Sequence, residues 1–176
     1  MLLPLLLVAC TNTTTRSEVA ASLEGIQPGE ERAIGDATME MHRMQAMAPL
    51  GDGWHRASST KGGFSVELPL PFNDFRIRAL ATDGVGIHTD ALGGKTPGLL
   101  SWMASCITRA DGTAGPESPE PGDTTGLVGD PPKAHQRTVV TEDRTCVLIV
   151  EAQGSDPLPD EATRLRFLRS LQLGAE

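Results

Sequence analysis

The chain has 176 residues and a formal net charge of −8, which is enough length for one domain with a real core. The charge argues against nucleic acid as a partner, because phosphates select basic surfaces, and against attraction to anionic headgroups as a source of membrane affinity. Tyrosine is absent and aromatics make up 3% of the chain, which removes base-stacking platforms and sugar-stacking clefts, both built on aromatic faces.

The chain begins with a short apolar run, Leu2 to Leu7, followed by Val8, Ala9 and Cys10. Nine residues before the cysteine are far fewer than the roughly 20 needed to cross a bilayer, whereas the length suits the apolar region of a secretory signal. Leu7-Val8-Ala9-Cys10 resembles the lipobox of bacterial lipoproteins. That resemblance implies a signal peptide over 1–9, cleavage before Cys10, and acyl chains on its sulfur and new amino group, several chains anchoring where one is marginal. No Lys or Arg precedes the apolar run, so a start further upstream is expected. Residues 10–27, with Thr11, Asn12, Thr13, Thr14 and Thr15, read as the lipidated cysteine and a polar tether too poor in apolar surface to fold alone. In enteric-type sorting an Asp after the cysteine holds a lipoprotein at the inner membrane. Thr11 stands there instead, so the expected location is the cell envelope, facing the periplasm, with the outer membrane favoured.

From Pro28 to Ala48 the spacing predicts an amphipathic helix: Ile34, Ala37, Met41, Met44 and Ala48 recur every three or four residues, and Pro49 stops the run. The same stretch holds Met39, Met41, His42, Met44 and Met47, soft thioether and imidazole donors suited to Cu(I). On a helix, Met41 and Met44 share the apolar stripe while His42 points away, so core filler is the competing reading.

Residues 51–173 read as a single domain. Trp54 to Ser58 and Phe64-Val66-Leu68 flank Lys61-Gly62-Gly63 as a hairpin, ended by Pro69 and Pro71. Phe75, Ile77 and Ala79 alternate with Arg76 and Arg78, Asp83-Gly84 makes a turn, and Val85-Gly86-Ile87 starts another strand. Gly93-Gly94 and Pro97-Gly98 read as punctuation before a long apolar run, Leu99 to Thr108. Residues 110–134, rich in Gly and Pro, read as a long solvated loop. Its Asp111, Glu117, Glu120 and Asp123 miss the spacing of a calcium-binding EF-hand loop. Arg137 to Val140 and Thr145 to Glu151 form a last hairpin whose second strand, continuously apolar at Val147 to Val150, is expected to be covered on both faces. Pro157 to Pro159 precede a closing helix with Asp160 and Glu161 at its positive end, Leu165, Phe167, Leu168 and Leu171 on its apolar side, and Gly174 at its end.

With Cys10 lipidated, Cys106 and Cys146 remain. An oxidising envelope allows them to bridge, closing a loop of about 40 residues; two buried free thiols are the alternative.

Trp54, Gly63-Phe64-Ser65-Val66-Glu67-Leu68-Pro69, Arg144-Thr145-Cys146-Val147-Leu148-Ile149-Val150, and Phe167-Leu168-Arg169-Ser170-Leu171 resemble the opening and closing segments of PsbP-like domains over residues 54–172. The resemblance implies an α+β fold, an antiparallel sheet flanked by an N-terminal and a C-terminal helix, used for binding or assembly. It carries no catalytic residues. Nor is there a Gly-x-Ser-x-Gly elbow, a Walker loop or a His-Glu-x-x-His helix, and His42, His55, His88 and His135 are dispersed. The reading is therefore a lipid-anchored envelope protein acting as a non-catalytic binding or assembly module without a cofactor, touching the membrane through Cys10 and an envelope protein through its domain. The alternatives are a periplasmic copper-binding lipoprotein and a small hydrolase built on His88 and Asp90.

Overall fold

The computed structural model describes residues 25–112 and 122–174; Cys10, the signal region 1–9 and the tether up to residue 24 lie outside them. Eleven strands and one helix follow in order among the described residues: β1 (Glu31–Ile34), β2 (Ala37–Ala46), β3 (His55–Ser58), β4 (Phe64–Leu68), β5 (Phe72–Leu80), β6 (Gly86–Lys95), β7 (Leu100–Arg109), β8 (Gly122–Val128), β9 (Ala134–Val140), β10 (Arg144–Ala152), α1 (Glu161–Arg169) and β11 (Gln172–Leu173). Eight strands make one antiparallel sheet in the order β1-β2-β5-β6-β7-β10-β9-β8, and β11-β4-β3 make a second, smaller one.

This overturns the expectation of a sheet flanked by two helices. The fold is mostly β, and where an amphipathic helix over 28–48 was expected the chain forms the β1–β2 hairpin. Ile34 pairs with Ala37 across Gly35-Asp36, and Gly35 sits at φ 57, the conformation that a two-residue hairpin loop asks of its first residue and that glycine supplies at least cost. The apolar residues of this stretch fit both periods. Ala37 and Met41 fall at helical spacing but also, with Met39 between them, alternate with Thr38, Glu40 and His42, and the alternation wins because β5 offers a partner from Thr38 to Ala46.

One face of the large sheet carries Phe72, Leu92, Trp102, Ala104, Cys106, Cys146, Leu148 and Val150. The small sheet closes over it with Ala57, Phe64, Val66 and Leu68, and α1 with Phe167 and Leu168. Trp102 stands at the centre, edge-on to Trp54 (6.1 Å, 81°) and to Phe167 (5.4 Å, 84°), the perpendicular arrangement that aromatic quadrupoles favour. On the reverse face Ile26, Ile34, Met39 and Met41 form a second cluster with Phe75 and Ile77. β10 is buried from Cys146 to Val150, as its unbroken apolar run predicts.

Cys106 and Cys146 are cross-strand partners in β7 and β10, with a Cα–Cα distance of 4.0 Å and sulfurs 2.06 Å apart. They form a disulfide.

Two loop expectations give way. Gly93-Gly94 is not a turn but the end of β6, where a Cβ on Gly93 would lie 2.4 Å from the Trp102 carbonyl and one on Gly94 2.7 Å from that of Pro71; the glycines permit close backbone approach. Within 110–134, residues 122–128 are strand β8, at the edge of the large sheet and exposed throughout. The closing helix starts as expected, with Asp160 as its cap accepting from the Thr163 N–H (2.8 Å). Its end does not use Gly174. Ser170 caps it, donating from N–H (3.0 Å) and Oγ (2.7 Å) to the Phe167 carbonyl, and the chain turns directly into β11.

Candidate functional site

Strand alternation puts a row of charged side chains on the core face beyond the apolar patch: Arg43 and Glu40 from β2, Asp74, Arg76 and Arg78 from β5, His88 and Asp90 from β6. The turn between β3 and β4, Ser59 to Gly63, lies over this row. Asp74, with 0% of its surface exposed, accepts on Oδ2 from Arg43 Nε (2.9 Å) and Nη2 (2.7 Å) and from Thr60 N (3.1 Å) and Oγ1 (2.5 Å). Arg43 also donates to the Ser58 carbonyl. Arg76 binds Asp90 through two parallel bonds of 2.8 Å and donates to the Lys61 carbonyl (3.0 Å). Lys61 donates to both oxygens of Glu40 (2.7 and 2.9 Å), and Arg144 to the Gly62 carbonyl (3.2 Å). Gly62 is pressed so close that a Cβ there would sit 2.6 Å from Cβ of Asp90.

These groups hold a turn down. The Lys61 ammonium keeps the Glu40 carboxyl below the usual carboxylate range, and the Asp90 hydrogen bond raises the Arg76 guanidinium. Two buried atoms in the row have no hydrogen-bond partner, Asp74 Oδ1 and His42 Nε2. His88 and Asp90 share a face, as residues two apart on a strand must, but the Asp90 carboxylate is taken by Arg76. Burial, with the Arg76 cation adding to it, holds His88 below the ordinary imidazole range.

The methionine cluster is divided by the strand. Met39 and Met41 point into the reverse-face core, His42 faces the opposite side with Nδ1 3.6 Å from Glu40, and Met44 and Met47 are exposed beyond bulges in β2. Parity therefore separates the imidazole from the two buried thioethers. Among the described residues no three His, Cys, Asp or Glu side chains converge as metal ligands.

A groove of about 250 Å³ lies at the other edge of the sheet, between β8–β9 and α1, lined by Asp123, Thr125, Arg137, Leu165, Leu168 and Arg169. Arg137 builds it. Its guanidinium binds Asp123 at 3.0 and 2.7 Å and donates to the Leu168 carbonyl at 2.8 Å, joining β8, β9 and the end of α1. The same cation holds the Asp123 carboxyl low. Leu165 and Leu168 give the groove an apolar floor, and Arg169, exposed in the last helical turn, gives its mouth a positive charge. Neither β8 nor the docked turn was visible beforehand: β8 has no alternation to display, and the turn's anchors lie far apart in the chain. No protein-family model, curated protein or solved structure matches the chain.

Proposed function

We propose that this protein is a lipid-anchored component of a bacterial envelope whose β domain is a non-catalytic binding module, and that it receives an extended segment of a protein partner along β8. The lipobox-like Leu7-Val8-Ala9-Cys10 supports the anchor. The observation that carries the binding surface is β8 itself: an edge strand exposed over its seven residues, containing neither Lys nor Pro, beside a groove with an apolar floor. Unpaired edge N–H and C=O groups are a template for a further strand, and most edges are blunted by charge or proline. A strand added to β8 would set alternate side chains over Leu165 and Leu168 and an acidic one near Arg169. Asp74, Asp90, Glu40, Arg43 and Arg76 of the charged row are occupied in ion pairs that seat a turn, which favours binding over catalysis.

Protein isolated from the native membrane fraction should have a mass that begins at Cys10 with added acyl chains. A photo-crosslinking residue at Thr125 should give one discrete adduct in the envelope, lost on Arg169→Glu, while the same residue at Leu80 gives none. An unacylated chain removes the anchor; equal labelling at both positions removes the β8 surface.

A further inference from the structure

The register of the ladder shows which backbone groups of β8 are free. Between β9 and β10 the Thr141 N–H donates to the Arg144 carbonyl (2.9 Å) and the Ala152 N–H to the Lys133 carbonyl (2.8 Å). Hydrogen-bonded pairs in an antiparallel ladder recur at every second residue, so the odd-numbered residues of β9 bond to β10 and the even-numbered ones to β8. The partners of those even-numbered residues in β8 are the even-numbered positions from Gly122 to Val128. Asp123, Thr125 and Leu127 therefore turn their N–H and C=O groups outward, away from the sheet. Their side chains share the face on which α1 lies, where Asp123 and Thr125 line the groove. A guest strand bonded to these three residues would thus place its own alternate side chains on the groove side.

The helix gives the groove a direction. Arg164 donates to Nδ1 of His135 (3.2 Å), and His135 pairs with Leu127; Arg137 donates to the Leu168 carbonyl (2.8 Å) and pairs with Thr125. α1 therefore runs antiparallel to β8, with Leu165 near the level of Leu127, and Leu168 and Arg169 near that of Thr125 and Asp123. Charge marks one end. The groove holds two guanidinium groups, Arg137 and Arg169, and one carboxylate, Asp123, an excess of one positive charge in a chain of net −8. Arg137 satisfies Asp123 with two bonds. Arg169 is exposed and has no ion pair or side-chain hydrogen bond with another described residue. The surplus cation stands at the Asp123 end, and the apolar floor extends from it towards Leu127.

We infer that β8 selects an antiparallel guest strand whose groove-facing residues, taken at every second position from its N-terminal side, are apolar, apolar and acidic. The inference rests on the β8 reading above and adds to it the direction and the sequence pattern of the guest. The first of these residues lies opposite Leu127, the second opposite Thr125 and the third opposite Asp123. The two apolar side chains cover Leu165 and Leu168, and the carboxylate reaches Arg169. Asp123 does not oppose that carboxylate, because its own charge is already taken by Arg137. Residues between the three point to the other face of the sheet and are not read. A parallel guest meets the same groove in the reverse order, through slanted and slightly weaker bonds. A lysine in the third place is set against Arg169, and like charges brought together reject a partner.

The test is fluorescence anisotropy of the full chain with capped, fluorescein-labelled peptides in which threonine fills every other place. One carries valine, valine and glutamate in the read places, one carries them in reversed order, and one has lysine for the glutamate. The first should bind at least about tenfold more tightly than either of the others, and Arg169→Glu should invert the preference between glutamate and lysine. Thr125→Pro removes an outward N–H that no bond to β9 uses, so it should abolish binding of the first peptide while the circular dichroism stays native. Equal affinity for the forward and reversed peptides overturns the direction. A preference for glutamate that survives Arg169→Glu overturns the acidic place, and binding that survives Thr125→Pro overturns strand addition. If no peptide binds while crosslinking at Thr125 still gives its discrete adduct, the edge is in use and the inferred pattern is wrong; if that adduct is missing as well, the β8 surface itself falls.

Discussion

Asp74 collects four hydrogen bonds on Oδ2 and leaves Oδ1 buried without a partner. Its removal would leave the Arg43 cation without its carboxylate and the Thr60 N–H and hydroxyl without their acceptor beneath the turn. Asp74→Ala should therefore cost about 3 kcal/mol, the lower end for a broken buried pair because Arg43 retains access to water. Urea unfolding measures it; a loss below 1 kcal/mol would mean that the turn is held elsewhere. Gly62→Ala tests the same contact from above. A methyl 2.6 Å from Cβ of Asp90 and 2.8 Å from the Phe64 ring should lift the turn and cost about 1–3 kcal/mol, the range for overpacking. At this scale the alternation of Arg76 and Arg78 with apolar neighbours was legible, and so was the shared face of His88 and Asp90. That Arg76 takes Asp90 was not, because the pair is created by the β5–β6 register and not by spacing along either strand.

Among the elements, β7 and β10 are paired over nine residues and cross-linked by Cys106–Cys146 at a separation of 40 in sequence. Loop-closure entropy assigns the disulfide about 3–4 kcal/mol. The double substitution Cys106→Ala, Cys146→Ala should lower stability by that amount while the sheet still forms, since backbone pairing continues on both sides; loss of the native circular dichroism at low temperature would show that the bridge is needed for the fold itself. α1 depends on packing more than on its own propensity, because nine residues are too few to hold a helix in water. Phe167, fully buried against Trp102, is its anchor. Phe167→Ala should cost about 3–5 kcal/mol, and the groove beside β8 should lose its floor with it. The hairpins and the closing helix could be read because their turn residues and apolar spacing are local. Residues 28–48 misled because methionine and alanine positions satisfied two periods at once, and β8 was hidden because an edge strand exposed on both faces needs no apolar pattern.

Across the whole molecule, the titrating groups push in one direction. Burial, reinforced by Arg76 for His88 and by Arg164 for His135, holds both imidazoles below their ordinary range. The unfolded chain protonates them at the usual value of about 6.5, so below that pH it binds more protons than the folded chain, and stability falls as pH drops towards the lowered folded values. Asp123, Asp143 and Asp160 are held low by hydrogen bonds from Arg137, Arg144 and the Thr163 N–H respectively. Their contribution is present above the unfolded carboxylate value of about 4 and is lost as pH falls through the folded ones. Thermal unfolding should therefore show a midpoint that declines in two stages, from about pH 6.5 and again below about pH 4, with the first stage reduced in His135→Gln. A midpoint unchanged between pH 7 and 5 would remove the histidine contribution.

By itself the sequence determined what depends on neighbours along the chain: the β3–β4 and β9–β10 hairpins, the buried run of β10, the closing helix with its acidic start, and a cysteine pair left to bridge once Cys10 is assigned to lipid. Only the tertiary structure decided that 28–48 is a hairpin, that Gly93 and Gly94 lie inside a strand, and that residues 122–128 pair at all. Each of these rests on backbone hydrogen bonds between segments distant in sequence, and such bonds take the donors and acceptors every residue carries, leaving no mark in the side chains by which they could be foreseen.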